Sequence, residues 1–194
     1  MTFKLNITGE GGLPLHLGGH ESMQHYEEGG LDFLIQKYNI KSMVDVGCGL
    51  GGMVQMARSK GLDSIGIDGD FVVDREFNDI IIHDYTTGPY ILDKNYDLAY
   101  TCEFVEHVDE QYMRNFISTW DNCKYVLMTH ALPNQPGHNH VNCQPIEYWV
   151  HTLNAFGYTF DVDTTNEIRK VSTMLERYMR EQSLFLINRN YKET

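Results

Sequence analysis

The feature that most constrains the fold is a glycine-dense segment at residues 43–52, with the sequence MVDVGCGLGG. An apolar run ends at Val46, four glycines follow within six residues, and the pattern then becomes helical. In such a strand-turn-helix unit, the backbone N–H groups of the turn face a ligand at the helix N-terminus. Gly47, Gly49 and Gly52 also satisfy the spacing G-x-G-x-x-G. The segment therefore predicts an α/β fold that holds a nucleoside-type ligand.

Hydrophobic periodicity along the chain predicts strands in alternation with helices. The predicted strands are 42–46, 64–68, 79–83, 96–101, 125–129, 158–162 and 183–187. The first four predicted helices are 26–38, one from the glycine turn to about residue 61, one after an N-cap at Asp109, and one from Pro145 to Gly157. The fifth begins at a Thr164-x-x-Glu167 capping box and runs to about residue 182. Its predicted inward-facing residues are Ile168, Val171, Leu175 and Tyr178. This alternation predicts a Rossmann-like, doubly wound, mostly parallel sheet with helices on both faces.

Length and composition predict a single domain. The chain has 194 residues, of which 42% are hydrophobic and 22% charged, so it can build one full core. It divides into an N-terminal arm (1–25), a cofactor-binding core (26–130) and a substrate-side part (131–194). The arm carries His16, His20 and His25, which we interpret as surface histidines on a mobile segment rather than as groups that fold over the ligand.

Charge and composition also bear on the partners. The formal net charge is −12 and the basic residues are scattered, which disfavours nucleic acid as the main partner. No apolar segment reaches the roughly 18 residues of a membrane span, and the first residues lack the apolar region of a signal peptide. We therefore expect a cytoplasmic protein without a membrane partner. The four cysteines form no C-x-x-C pair, and the three that lie in or beside predicted strands are expected to be reduced and buried.

Asp45, the acid that precedes the glycine turn, favours one of two kinds of nucleoside ligand over the other. A dinucleotide would place its pyrophosphate near Asp45, two residues before Gly47, and like charges repel strongly in a partly desolvated cleft. S-adenosyl-L-methionine has no phosphate, and its ammonium and sulfonium groups are attracted to the same carboxylate. The sequence therefore predicts S-adenosyl-L-methionine as the cofactor.

Acids at two further strand ends fit the rest of this cofactor. The loops that follow parallel strands meet at one edge of the sheet. Asp68, which precedes Gly69, suits the ribose diol because one carboxylate can accept from both hydroxyls. Asp84 is placed to accept from the adenine amino group, with Tyr85 available to pack on the ring.

These segments resemble a known family. Residues 45–51 (DVGCGLG) are similar to motif I of the class I S-adenosylmethionine-dependent methyltransferases, Asp68 to the ribose-binding acid, and His83-Asp84 to the adenine-side motif. Residues 96–108 contain E-x-x-E-H-V, as in the fourth motif of the small-molecule branch. The resemblance covers roughly residues 30–130 and implies a seven-stranded sheet whose last strand is antiparallel. The expected cofactor-binding residues are Asp45, Gly47, Cys48, Gly49, Gly51, Asp68, Gly69, Asp84, Tyr85, Cys102 and His107.

One predicted element departs from that family. Strands six and seven are often joined by a short hairpin, whereas here a helix is predicted over about residues 164–182. Such an insertion could cap the substrate site or simply cover the sheet.

The acceptor site is predicted in the polar loop 137–142 (GHNHVN), which follows the fifth strand. Loops at this edge carry sites more often than other loops. Methyl transfer to a hydroxyl benefits from a general base, and histidine suits that role near neutral pH. We predict His140 or His138 as the base, with Asn142 orienting the substrate.

Three further residues near this edge are candidates. His130 and Glu103 are predicted to bind the substrate, and His107, at the start of a helix, to pack or contact the cofactor. His138 and His140, together with His130 or Glu103, could alternatively hold a divalent metal. No metal ligand is assigned from the sequence.

The sequence thus predicts S-adenosylmethionine-dependent methyl transfer to a small-molecule or glycan-like acceptor, at oxygen rather than nitrogen. The preference for oxygen rests on the histidines and amides of the late loop. An NAD(P)-dependent oxidoreductase is the alternative enzyme. A module that binds S-adenosylmethionine without catalysis is a third possibility.

Overall fold

The computed structural model describes residues 12–19, 23–72 and 80–193. The strands are β1 (Ser42–Val46), β2 (Asp63–Asp68), β3 (Ile80–Ile82), β4 (Tyr96–Thr101), β5 (Cys123–Thr129), β6 (Tyr158–Phe160) and β7 (Ser183–Asn188). The helices are α1 (Glu28–Tyr38), α2 (Gly52–Ser59), α3 (Met113–Trp120), α4 (Ile146–Ala155), α5 (Val162–Val171) and α6 (Tyr178–Gln182), and the 3₁₀ turns Val105–His107 and Glu110–Tyr112 precede α3. His20 and the first residue of the predicted third strand lie outside the described residues. Within the described ranges, every helix is too short or too polar to span a bilayer.

The strands form one sheet in the order β3-β2-β1-β4-β5-β7-β6. Strands β1 to β5 run parallel, and β7 pairs antiparallel with both β5 and β6. This arrangement confirms the predicted Rossmann-like sheet and its antiparallel last strand. The strand order reverses between β1 and β4, so a crevice opens beyond the carboxyl ends of these two strands.

Two apolar layers cover the sheet because successive side chains of a strand point to opposite faces. Val44 of β1 is buried in one layer with Phe116 and Trp120 of α3. Met43, its neighbour, is buried in the other layer with Leu34 of α1. Burial of side chains of this size contributes about 1.5–3 kcal/mol each. Packing of these layers fixes where each strand ends, and therefore where the crevice lies.

The helix predicted over residues 164–182 begins earlier than expected. Asp161 is the N-cap, and its carboxylate accepts from the backbone N–H of Thr164 at 2.9 Å. The capping box headed by Thr164 is therefore wrong, because this residue already lies in the first turn of α5. Strand β6 therefore ends at Phe160, because the N-cap of α5 follows it directly.

The predicted helix is also shorter, since α5 ends at Val171 and α6 starts at Tyr178. Leu175 was predicted to face inward but is 91% exposed in the intervening loop. The buried carboxylate of Glu27 binds the backbone N–H groups of Thr173 and Met174 and so holds this loop away from helical geometry.

Candidate active site

A cavity of about 320 Å³ opens at the carboxyl ends of β1, β2 and β4. This is the switch point at which doubly wound sheets bind ligands. The predicted site residues that line it are Asp45, Gly47, Cys48, Gly49, Asp68, Gly69, Asp84, Tyr85, Cys102, Glu103, His107, His138 and His140. The strand-end loops thus come together as the sequence predicted.

Three other predicted residues do not line the cavity. Gly51 is the N-cap of α2, with φ +84°. His130 is buried, and its Nδ1 lies 3.4 Å from the carbonyl oxygen of Ala131. Asn142 is also buried, and its side-chain amide donates to the carbonyl of Val108 at 3.2 Å. The geometry therefore gives no support to acceptor binding by His130 or Asn142, and Asn142 instead anchors its loop.

The glycine turn has a backbone that few other residues can adopt. Gly47 has φ +78°, and its N–H donates to the carbonyl of Ile67 at 2.8 Å. The N–H of Gly49 donates to Oδ2 of Asp68 at 2.7 Å. A Cβ on Gly47 would lie 2.5 Å from Cδ2 of Phe104, so the absence of a side chain allows this ring to approach the turn.

The aromatic wall beside the turn differs from the prediction. The ring of Tyr85 is buried, and its hydroxyl hydrogen-bonds Oγ1 of Thr119 at 2.8 Å. The ring of Phe104 lies against Gly47 of the turn, and its centroid is 5.9 Å from that of Tyr85. Phe104 was not predicted from the sequence, although its place inside the E-x-x-E-H-V segment was an available signal.

Two carboxylates face the cavity beside the turn. Asp45 is only 4% exposed, and burial, followed by repulsion from Asp68, raises its pKa well above the ordinary value. Among the described residues, no lysine, arginine or histidine forms an ion pair with Asp45. A ligand that carries a positive charge would therefore stabilise the ionised form of Asp45.

The described residues of the N-terminal arm, 12–19 and 23–25, contribute side chains to this cavity. The histidines of the arm were expected on the surface, yet His16 and His25 line the cavity. Nε2 of His16 donates to Oδ2 of Asp84 at 2.9 Å. Burial alone would raise the pKa of Asp84, but hydrogen bonds from His16 and Thr86 hold it below its ordinary value. Both oxygens of Asp84 are thus engaged within the chain, Oδ2 by His16 and Oδ1 by the backbone N–H and the hydroxyl of Thr86, each at 2.8 Å, so the geometry gives no direct support to the predicted contact with adenine.

The two bases predicted in the late loop have different surroundings. Nε2 of His138 donates to the carbonyl of Leu15 at 2.9 Å, so this imidazole ties the loop to the arm. Nδ1 of His140 donates to the carbonyl of Gln135 at 3.0 Å, and the ring lies edge-on to that of His107, with centroids 4.9 Å apart. Of the two, His140 is therefore the residue placed among other polar groups of the cavity.

His140 belongs to a cluster of one carboxylate and two imidazoles. Glu106, His107 and His140 each offer a ligand atom within 4.8 Å of the others, and no other such group of three occurs in the described ranges. Burial, and then the nearby charge of Glu103, raise the pKa of Glu106, while burial lowers the pKa of His107 to about 4. The metal set considered from the sequence, His138 and His140 with His130 or Glu103, is not the group whose ligand atoms come together in the described ranges.

Comparisons with known proteins place the fold. No protein-family profile matches the sequence, and no curated protein sequence is significantly similar to it. Solved structures do match. The pyocyanin biosynthetic protein PhzM is 12% identical with a TM-score of 0.53, over 82% of this chain and 54% of that one. Magnesium protoporphyrin IX methyltransferase (ChlM) from Synechocystis PCC 6803 with bound SAH is 13% identical with a TM-score of 0.54, over 80% and 78%.

The methyltransferase domain of bacterial CtHen1 is a third match, 15% identical with a TM-score of 0.55, over 82% of this chain and 95% of that one. The chain spans about half of PhzM but nearly all of the Hen1 domain. The protein therefore has the fold of the class I S-adenosylmethionine-dependent methyltransferases, which confirms the fold that the sequence resemblance implied.

Proposed function

We propose that the protein is an S-adenosylmethionine-dependent methyltransferase that acts on a hydroxyl group of a small-molecule or glycan-like acceptor. One observation carries the cofactor assignment. Asp45 and Asp68 face the same cavity at the glycine turn of a class I methyltransferase fold. The charge of Asp45 suits the ammonium and sulfonium of S-adenosylmethionine and opposes the pyrophosphate of a dinucleotide, and Asp68 suits the ribose diol.

The acceptor end is the part of the cavity bordered by Glu103, His107 and His140. Among the described residues that line the cavity there is no lysine or arginine. An acceptor bound through several phosphates would need such residues, so an uncharged hydroxyl compound fits better. This supports a small-molecule or glycan-like acceptor over a nucleic acid.

The reaction needs few catalytic groups. The acceptor oxygen bonds to the methyl carbon, the carbon–sulfur bond breaks with its electron pair going to sulfur, and the hydroxyl proton leaves. Because the methyl carbon is already activated by the sulfonium, alignment of the two reactants supplies most of the rate enhancement. We propose that His140 acts at the acceptor end, where a polar group must bind or deprotonate the hydroxyl.

The cofactor assignment can be tested with Asp45→Asn. This change keeps the shape of the side chain and removes the charge that pairs with the ligand, so affinity for S-adenosylhomocysteine (SAH) should fall by tenfold or more, as expected for the roughly 1.5–3 kcal/mol of a hydrogen bond to a charged group. Isothermal titration calorimetry gives the two dissociation constants. Asp63→Asn, at the exposed opposite end of β2, is the control and should bind SAH like the wild type.

The same titrations with NAD(H) separate the two enzyme classes. Tight NAD(H) binding without SAH binding would overturn the proposal in favour of an oxidoreductase. Binding of SAH to the wild type and to Asp63→Asn, with loss in Asp45→Asn, supports it.

Turnover separates an enzyme from a binding module. SAH formation should be followed with S-adenosylmethionine and a panel of phenols, alcohols and oligosaccharides. With an accepted compound, His140→Ala should lower the rate by about 100-fold, as is typical when a general acid–base group is removed, and leave SAH affinity close to wild type. A full rate in His140→Ala would remove this residue from the acceptor site, and no turnover of any acceptor by the wild type would favour a module.

A further inference from the structure

We propose that Glu106, His107 and His140 form a divalent-cation site at the acceptor end of the cavity, and that the bound ion holds the acceptor's oxygen. The role toward the acceptor rests on the proposed function, whereas the site itself rests on the geometry of these three side chains. One imidazole nitrogen from each histidine and one carboxylate oxygen lie within 4.8 Å of one another. Metal–ligand bonds of about 2.0–2.2 Å are within reach after small side-chain rotations.

The hydrogen bonds of His107 and His140 leave Nε2 of each ring unprotonated and able to bind a metal. Nδ1 of His107 lies 2.7 Å from the carbonyl oxygen of His138, and Nδ1 of His140 lies 3.0 Å from that of Gln135. A carbonyl oxygen can only accept, so each Nδ1 carries the hydrogen and each Nε2 carries the lone pair. Metal-bound histidines are oriented in this way by backbone carbonyls. Both rings are therefore set in the tautomer that ligates through Nε2.

Glu106 supplies the second, independent observation. Its side chain is fully buried, neither carboxylate oxygen meets a hydrogen-bond donor in good geometry within the described part of the chain, and its nearby charged group is the like-charged carboxylate of Glu103. A buried carboxyl group without partners costs several kcal/mol, and proteins offset that cost by pairing or by coordinating a metal. Glu103, which lines the same cavity, can provide a further oxygen.

The backbone keeps the three residues together. Glu106 and His107 belong to the 3₁₀ turn Val105–His107, and His140 belongs to the loop that lies over it. The N–H groups of Val141 and Asn142 both donate to the backbone carbonyl of Glu106, at 2.9 and 3.0 Å. The loop that carries His140 is thus fixed directly to the residue that offers the carboxylate.

This donor set indicates the class of ion. Two imidazoles with one or two carboxylates suit Mn²⁺, Fe²⁺, Co²⁺ or Zn²⁺ better than Ca²⁺, which prefers oxygen ligands only. The ion would act as a Lewis acid on the acceptor hydroxyl. In this arrangement His140 is a ligand, the hydroxyl proton passes to water, and the oxygen then bonds to the methyl carbon as the carbon–sulfur bond breaks.

Metal binding can be measured without turnover. Protein treated with EDTA and dialysed should be titrated with Mn²⁺, with free Mn²⁺ followed by electron paramagnetic resonance, and separately with Co²⁺, followed by its visible absorption. We expect one ion per chain in the wild type and binding at least tenfold weaker in Glu106→Gln and in His140→Ala. His151→Ala, which removes an exposed histidine of α4, should bind like the wild type.

SAH affinity measured on the same samples keeps the outcomes distinct. Retained SAH binding shows that the variants are folded, so weaker Mn²⁺ binding is then due to the lost ligand. Binding of SAH without stoichiometric Mn²⁺ or Co²⁺, or variants that bind the ions like the wild type, would overturn the cation site and leave the proposed function standing. Failure of the wild type to bind SAH would overturn the proposed function instead. Turnover that survives EDTA at its full rate also counts against the cation site.

Discussion

Replacement of Gly47 by alanine should lower SAH affinity by at least 100-fold. Gly47 has φ +78°, in the region that costs other residues about 1–2 kcal/mol. Its Cβ would also lie 2.5 Å from Cδ2 and 2.8 Å from Cγ of Phe104. Either the turn or the ring must then move, and overpacking of this kind costs a further 1–3 kcal/mol or so. Because Gly49 lies on the same turn and Asp45 lies just before it, at the end of β1, the displacement changes the cofactor site itself.

Gly61→Ala is the matched control for this prediction. Gly61 has φ +83°, close to that of Gly47, but apart from its chain neighbours no atom of the described residues lies within 4 Å of the position that its Cβ would take. The control therefore carries the cost of the dihedral angle without the contact. SAH titrations and urea denaturation of both variants isolate the effect of Phe104. If Gly47→Ala binds SAH as well as Gly61→Ala, the turn does not approach the ligand as proposed.

The parts of the fold that were predicted correctly are those determined by residues close together in the sequence. Strands β1 and β4 were predicted with their observed bounds, Ser42–Val46 and Tyr96–Thr101. Each is an apolar run bounded by turn residues, and this pattern does not depend on the rest of the chain. Asp45 and Asp68 were placed for a similar reason, since residues at the carboxyl ends of parallel strands share one edge of the sheet.

The parts that were missed depend on contacts between distant segments. His16 reaches Asp84, 68 residues away, and nothing in the glycine-rich arm indicates that it contributes side chains to the cavity. Glu106 lies inside a recognised motif, but its chemistry comes from burial beside His140, which only the folded loop brings near. Periodicity continues past Val171, yet the helix stops there because a carboxylate from another segment binds the backbone that follows.

That carboxylate belongs to Glu27, and its replacement by alanine should destabilise the protein by about 3–5 kcal/mol. Glu27 is fully buried and caps α1 by accepting from the N–H of Gly30 at 2.8 Å. It also accepts from the N–H groups of Thr173 and Met174, at 3.2 and 3.4 Å, and from the hydroxyl of Ser172. Alanine would leave these donors without their acceptor, and each buried donor left unsatisfied costs about 1–3 kcal/mol.

The neighbouring Glu28 is the control, because it carries the same carboxylate on the surface without the buried hydrogen bonds of Glu27. Glu28 is exposed and pairs with Lys60 at 2.9 Å, so Glu28→Ala should change the free energy of unfolding by less than about 1 kcal/mol. Thermal unfolding should show a midpoint roughly 10 °C lower for Glu27→Ala and close to wild type for Glu28→Ala. Because His25, two residues before Glu27, lines the cavity, Glu27→Ala should also weaken SAH binding. Similar midpoints for the two variants would show that Glu27 does not hold the arm, α1 and the loop after α5 together.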